Sequence, residues 1–176
     1  MSENVQVAER MGLAHLNLRG DPEDAAFLAA IKGVFGVDLP RVANTTARAG
    51  EHTVCWLGPD EWLVLSTADS AALVNALQAA IGELHSSVTE IGGGNVVLVL
   101  RGANVRELLA RDCPLDLHPR ELGPGRCAQT RLGKTAVLLR PLDDGAMELV
   151  ARRSFVSYLR LWFREAGATY SEKPVR

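Results

Sequence analysis

Leu16-Asn17-Leu18-Arg19-Gly20 and Leu98-Val99-Leu100-Arg101-Gly102 are two closely similar stretches, one in each half of the chain. Each is followed by a helix-like segment and then by an Asp-Leu turn that closes on Pro-Arg, at residues 38–41 and 116–120. A strand that ends in Arg-Gly, a helix and such a turn form one supersecondary unit. Its presence in both halves predicts an internally duplicated α+β domain.

Hydrophobic periodicity predicts the same order of elements in the two halves. In the first half it predicts a strand over 12–19, a helix beginning at Asp21, hairpin strands over 53–57 and 62–65, a helix over 70–82 and a strand over 88–91. In the second half it predicts a strand over 95–101, a helix through Val105, Leu108 and Leu109, strands near 126–132, 135–140 and 146–151, and a helix from Ser154 to Gly167. This order is typical of ferredoxin-like β-α-β-β-α halves.

The predicted domain organisation follows from these elements. Residues 1–10 are expected to be a loose arm, residues 11–167 a single duplicated α+β domain, and residues 168–176 a tail. The two halves of the domain are about 11–86 and 87–167. Because no long linker separates them, we expect the halves to share a sheet or a core.

Composition excludes several classes of function. The 176 residues carry 19 Lys and Arg against 21 Asp and Glu, so a nucleic-acid or anionic-membrane partner is not expected. Three widely spaced cysteines, Cys55, Cys113 and Cys127, favour a reduced setting over a disulfide framework. The sequence shows neither a signal-peptide pattern nor an apolar run of membrane-spanning length, so we expect a cytoplasmic protein.

The glycine and histidine patterns predict neither a phosphate loop nor a metal site. Gly92-Gly93-Gly94 follows a strand, but the residues after it have a strand pattern, whereas a dinucleotide loop requires a helix there. A tight turn is therefore favoured. Metal ligands must converge on one point, and the four histidines are scattered, with no helical i, i+4 pair. They are His15, His52, His85 and His118.

The cysteines and carboxylates give only weak indications of catalysis. Cys113 and Cys127 have Arg111, Arg126 and His118 near them in sequence, which leaves a reactive thiol open, although small apolar fillers are favoured. Most of the candidate carboxylates fall in turns, where aspartates usually bond their own backbone. These are Asp60-Glu61, Asp112, Asp116 and Asp143-Asp144.

Tryptophans and arginines are the remaining candidates for binding. Trp56 and Trp62 bracket a turn and Trp162 falls in the last helix. Core packing is favoured for them, and a partner contact or a small-molecule platform is the alternative. Short basic groups are usually solvated or ion-paired, and a carboxylate ligand is the alternative. The arginines concerned are Arg101, Arg106 and Arg152-Arg153.

Several sequence stretches resemble one known family. They are Trp56-Leu57-Gly58-Pro59-Asp60-Glu61-Trp62-Leu63, Cys113-Pro114-Leu115-Asp116-Leu117-His118-Pro119, Gly125-Arg126-Cys127-Ala128-Gln129-Thr130, and Arg152-Arg153-Ser154-Phe155 before an aromatic helix. Together, in this order, they resemble the gamma subunits of heterotetrameric sarcosine oxidases. That family is similar in fold to the folate-binding part of the aminomethyltransferase T-protein, so the resemblance implies that fold here.

The resemblance also implies a function. It implies a non-catalytic structural subunit in a complex that oxidatively demethylates sarcosine to glycine, with formation of hydrogen peroxide and 5,10-methylenetetrahydrofolate. The alpha subunit is the expected partner, with beta and delta subunits in the same complex. FAD, FMN, NAD and tetrahydrofolate would be held by the alpha and beta subunits, and zinc by delta. This chain is thus expected to contain no catalytic, cofactor-binding or metal-binding residue.

Two other functions remain as alternatives. A stand-alone folate or one-carbon binding protein of the aminomethyltransferase fold is the first. Against it, Glu90-Ile91-Gly92-Gly93 replaces the Asp-x-Ser-type turn usual in those enzymes, and the chain is much shorter than a full transferase. An independent thiol enzyme that uses Cys113 or Cys127 is the second.

Overall fold

The computed structural model describes residues 5–171 and 173–175, and its fold divides into two compact units. The first unit is Gly12–Gly92. The second consists of the residues up to Met11 together with those from Gly93 onward. The second unit is therefore built from two separate parts of the chain.

The helices and strands fall in the following order. They are β1 (Gln6–Arg10), β2 (Ala14–Gly20), α1 (Ala25–Phe35), β3 (Thr46–Ala49), β4 (His52–Gly58), β5 (Glu61–Ser66), α2 (Ser70–Ile81), β6 (Ser86–Glu90), β7 (Asn95–Arg101), α3 (Val105–Leu109), β8 (Ala128–Leu132), β9 (Thr135–Pro141), β10 (Met147–Arg152), α4 (Val156–Glu165) and β11 (Thr169–Tyr170). Short 3-10 turns cover Gly92–Gly94 and Arg153–Phe155.

The duplication is visible in the sheet topology. The first unit has a five-stranded sheet of order β3-β4-β5-β2-β6. Apart from the edge strand β3, its strands β4-β5-β2-β6 have the ferredoxin-like order. The second unit has the order β8-β9-β10-β7-β1-β11. When β7 is equated with β2 and β11 with β6, the two orders agree except for one inserted strand, β1. The α+β, internally duplicated fold predicted from the repeated sequence is confirmed.

The N-terminal segment is the first departure from the sequence prediction. Gln6–Arg10 form β1 rather than a loose arm, antiparallel to β7 and parallel to β11. The expected tail contributes β11, and Val175 forms a further bridge with Arg10. Pairing satisfies the backbone N–H and C=O groups that β7 would otherwise leave open on one side. The parts of the arm and tail predictions at residues 1–4, 172 and 176 lie outside the described residues.

The boundary between the halves also differs from the predicted one at 86/87. Ser86–Glu90 pair with β2, with Leu18 opposite Val88, and so complete the first unit. Where the sequence predicted a shared sheet or core, each unit has its own sheet and its own cluster of buried side chains. The first cluster includes Leu16, Leu18, Phe27, Ile31, Trp62 and Leu77, and the second includes Leu98, Leu100, Leu109, Leu149, Leu159 and Phe163.

Local chemistry explains where the helices begin. The cap of α1 is Asp24 rather than Asp21, because the Asp24 carboxylate accepts the N–H of Ala26 at 2.8 Å and that of Phe27 at 3.3 Å. Asp21 instead accepts the N–H of Glu23 at 2.9 Å and so stabilises the preceding turn. The last helix starts two residues later than predicted, since residue 154 lies in a 3-10 turn.

Gly20, the second residue of the first Arg-Gly pair, is required by close packing. A Cβ atom at this position would overlap the ring of Phe27, which is fully buried under the sheet. We expect Gly20→Ala to lower the free energy of unfolding by about 1–3 kcal/mol, the usual cost of overpacking a core. Urea titration followed by circular dichroism measures the change.

Gly33→Ala is the matched control for this prediction. Gly33 lies inside α1, and a Cβ atom there would meet nothing within 4 Å. The control should therefore raise stability by about 0.5–1 kcal/mol through helix propensity. Equal stability of Gly20→Ala and the parent chain would show that the ring of Phe27 can move aside.

Candidate functional site

The hairpin of β4 and β5 carries the tryptophan motif, and it builds the core of the first unit. Trp56 lies opposite Trp62 in the strand register. The Trp62 side chain is fully buried, and its indole Nε1–H donates to the carbonyl of Pro40 at 2.8 Å. Its ring lies 6.1 Å from that of Phe27, centroid to centroid. Trp62 is therefore a core anchor, and Trp56 is a partly buried side chain packed against the same cluster.

The carboxylates at the hairpin turn are engaged by neighbouring side chains. Arg19 donates to Asp60 at 2.8 Å, and Asn17 donates to Glu61 at 2.7 Å. The hydrogen bond and charge of Asp60 raise the pKa of the Arg19 guanidinium above its ordinary value. The second Arg-Gly copy repeats this arrangement, because Arg101 forms an ion pair of 2.5 Å with Asp144. That bond lowers the pKa of the Asp144 carboxyl.

Two grooves meet at the start of β6. The larger has a volume of about 490 Å³ and is lined by Arg19, Gly20, Asp21, Pro22, Asp60, His85, Ser86 and Ser87. The smaller, of about 290 Å³, is lined by Gln78, Ile81, Gly82, Leu84, Ser86, Ser87 and Val88. The arginine of the larger groove already pairs with Asp60, and the Ser86 hydroxyl donates to the carbonyl of Leu84 at 3.1 Å. A nucleophilic serine would instead need a base bonded to its hydroxyl.

The four histidines lie in separate parts of the chain. His15 is buried in β2, His52 Nδ1 lies 2.9 Å from the hydroxyl of Ser66, and His85 and His118 are exposed. Within residues 5–171 and 173–175, no three side chains of His, Cys, Asp or Glu come together as a metal site would require.

The candidate thiols, Cys113 and Cys127, are both buried. The Cys113 sulfur lies 3.7 Å from the neutral hydroxyl of Thr130. Arg111 donates to the carbonyl of Ala166 at 3.0 Å, so its charge is directed elsewhere. A nucleophilic cysteine requires a base or positive charge beside its sulfur, and the geometry at Cys113 supplies neither.

The remaining basic and acidic candidates hold loops and termini. Arg106, whose pKa is lowered by burial, donates to the carbonyl of Leu117 and, at 2.9 Å, to that of Leu122, which ties the Pro/Gly-rich crossing to α3. Arg153 forms an ion pair of 3.2 Å with Glu9 of β1. In the last helix, Trp162 Nε1–H donates to Asp112 at 2.5 Å. These contacts account for groups that the sequence left open as ligand sites.

Smaller candidates fall in turns as predicted. Asp116 accepts the backbone N–H of His118 at 2.8 Å. Gly92–Gly94 form a 3-10 turn that leads directly into β7, and the N–H of Gly92 donates to Glu90 at 2.7 Å.

Across the described part of the chain, each helix is too short or too polar to cross a bilayer.

A buried ion cluster around Glu148 was not predicted from the sequence. Glu148 is fully buried in β10 and is bound by two arginines, Arg140 of β9 and Arg10 of β1. The Arg140 Nε–H donates to it at 3.0 Å. The available signal was a single acid inside the apolar strand Met147–Arg152, because a buried charge requires a partner.

Comparison with known proteins gives the context for this geometry. Residues 19–169 match the model of the "Sarcosine oxidase, gamma subunit family". The sarcosine oxidase subunit gamma of Corynebacterium sp. (strain U-96) is 34% identical over 161 residues, which cover 91% of this chain and 78% of that protein. The corresponding subunit of Arthrobacter sp. is 32% identical over 148 residues, which cover 84% of this chain and 72% of that protein.

Solved structures agree with the sequence comparison. A chain of the heterotetrameric sarcosine oxidase from Corynebacterium sp. U-96, in complex with pyrrole 2-carboxylate, superposes with a TM-score of 0.85 at 32% identity, covering 92% of this chain and 83% of that one. The glycine cleavage system aminomethyltransferase T from Bartonella henselae shares the fold, with a TM-score of 0.67 at 11% identity, over 95% of this chain and 47% of that one. This chain belongs to the gamma subunit family of sarcosine oxidase.

Proposed function

We propose that this chain is the non-catalytic structural subunit of a heterotetrameric sarcosine oxidase. The complex would oxidatively demethylate sarcosine to glycine, form hydrogen peroxide and pass the one-carbon unit to tetrahydrofolate. The observation that carries the proposal is the family match over residues 19–169 combined with the structural likeness to a chain of such a complex. In the geometry described above, the candidate catalytic groups form core, turn and loop contacts, which supports a structural role.

The partners and cofactors are part of the same proposal. The alpha subunit is the partner on which this chain docks, and the beta and delta subunits belong to the same assembly. FAD, FMN, NAD, tetrahydrofolate and zinc are carried by those subunits. A reducing cytoplasmic setting agrees with the three buried free thiols, Cys55, Cys113 and Cys127.

Reconstitution with and without this chain tests the structural role. We expect the full set of subunits to form one particle containing this chain in stoichiometric amount, as measured by native mass spectrometry. Without this chain, the remaining subunits should lose assembly or sarcosine-dependent peroxide formation. A complete and fully active particle that lacks the chain would overturn the proposal.

A folate-binding protein is the competing function, favoured by the aminomethyltransferase-like fold. Titration of the full chain with tetrahydrofolate, followed by tryptophan fluorescence, separates the two functions. Trp56 is partly buried and can report a nearby ligand. Under the structural proposal the signal should change only linearly with added folate, whereas a saturable change would favour the competitor.

A further inference from the structure

Strand β6 is an open edge of the first unit's sheet. Among the described residues it pairs with β2 alone. The N–H of Ile91, just past the strand, donates to His15 of β2 at 2.8 Å. Antiparallel hydrogen bonding alternates along a strand, so the N–H groups of Ser86, Val88 and Glu90 point away from β2. They form a row of donors that another strand could pair with.

Strand β6 is less protected than the other sheet edges. Proteins usually guard an edge with a charged residue, lysine above all, or with a proline, a bulge or a very short strand. Edge strand β3 contains Arg48, edge strand β8 contains Arg131, and β11 is only two residues long. Strand β6 has five residues, Ser-Ser-Val-Thr-Glu, and its one charge, Glu90, is at the last position. The first four residues of this edge therefore carry no charge, proline or bulge that would keep another strand away.

The grooves beside β6 provide space for the side chains of an added strand. The two grooves, of about 490 and 290 Å³, share Ser86 and Ser87 among their lining residues. The smaller one lies against α2 and has aliphatic walls from Ile81, Leu84 and Val88. An incoming strand alternates its side chains between two faces, so small aliphatic residues would enter this groove at every second position.

The neighbouring side of α2 has the composition of an interface. Its twelve residues include no charged side chain, whereas α4 carries Arg160, Arg164 and Glu165 in ten residues. Gln78 lines the smaller groove, and helical periodicity places Ala71 and Asn75 on the same side of the helix. Depletion of charge distinguishes the centre of a protein interface from ordinary surface.

Charges at the two ends of β6 indicate which kind of added strand would bind there. Asp21 borders the larger groove beside Ser86, and Glu90 is the last residue of the strand; both are exposed. Over residues 5–171 and 173–175, neither carboxylate has a Lys or Arg nitrogen within 4.0 Å. Basic side chains at both ends of an added strand would complement them.

We propose that β6 and the adjacent side of α2 dock an extended segment of another subunit, which adds a sixth strand to this sheet. The segment carries small aliphatic residues flanked by basic ones. This inference rests on the proposed function, because it assigns the surface through which the structural subunit binds its complex. Backbone hydrogen bonds would supply affinity, and the grooves would supply specificity.

Two variants and two matched controls test the surface. Asn75→Arg places a charge on the α2 side, and Ser86→Pro removes one outward N–H at the first residue of the strand, where proline is tolerated. Ser157→Arg makes a comparable change on exposed α4, and Ser86→Ala keeps the N–H while removing the hydroxyl. Arginine is a better helix former than asparagine or serine, so both arginine variants should fold. Thermal unfolding verifies this.

The measurement is the dissociation constant between each full-length variant and the purified remainder of the complex. We expect Asn75→Arg and Ser86→Pro to weaken binding at least tenfold, with both controls within about twofold of the parent. If the parent binds but Asn75→Arg does not weaken binding, the docking surface is wrong while the structural role stands. If the parent itself does not bind, the proposed function fails.

Discussion

Replacing Glu148 by Gln is expected to lower the free energy of unfolding by about 3–5 kcal/mol, because it leaves two arginines facing a neutral group in a buried site. Glu148 is fully buried, and the side chain of Arg140 is only 10% exposed. Arg10, at the end of β1, binds the other carboxylate oxygen. The variant should therefore loosen β1 as well as destabilise the second unit.

Two measurements check this expectation. Urea unfolding gives the change in stability, and amide hydrogen exchange of Gln6–Arg10 reports the release of β1. Asp144→Asn is the control, since it breaks an ion pair with Arg101 whose partners are both about half exposed. Exposed pairs contribute little, so the control should change stability much less. Protection of β1 in Glu148→Gln equal to that of the parent would contradict the proposed role of the carboxylate.

Truncation of Trp62 should have an effect of similar size in the first unit. Trp62→Ala removes the largest fully buried side chain and its contact with Phe27, and we expect a loss of about 3–5 kcal/mol. Part of the loss comes from the carbonyl of Pro40, which accepts the indole N–H and would be left without that donor.

Trp62→Phe separates packing from hydrogen bonding. It keeps an aromatic ring but leaves the Pro40 carbonyl without the indole donor, so a loss of about 1–3 kcal/mol is expected. Denaturant titration followed by circular dichroism gives both values. If Trp62→Ala were no more destabilised than Trp62→Phe, the ring would contribute little packing energy, and the tryptophan would have to be explained by another role.

Strands with a strong apolar pattern were located more accurately from the sequence than those with a weak one. The hairpin around Trp56 and Trp62 and strand β7 were located closely, because their apolar patterns are strong. Strand β3, Thr-Ala-Arg-Ala, was missed because it is only four residues long and its apolar positions are alanines, which favour strands weakly. The cap of α1 was placed at Asp21 instead of Asp24, since either aspartate is acceptable locally and the backbone decides between them.

Local sequence patterns did not indicate the proposed docking surface. A strand was predicted over 88–91, whereas β6 begins at Ser86. Its importance depends on its position at an unpaired edge, on the grooves that meet at Ser86 and Ser87, and on the uncharged side of α2. None of these is a property of a single segment.

The duplicated α+β plan and the family resemblance could be recognised in the sequence, because both depend on repeated or ordered local patterns such as the two Arg-Gly strands. The place of β1 in the second unit and the binding of Glu148 by Arg10 and Arg140 became visible only in the folded chain. The same is true of the sheet edge that β6 leaves open. The pairing of β1 with β7 and the Arg10–Glu148 ion pair join segments far apart in the sequence, so they depend on the folded arrangement of the chain and leave no trace in local periodicity.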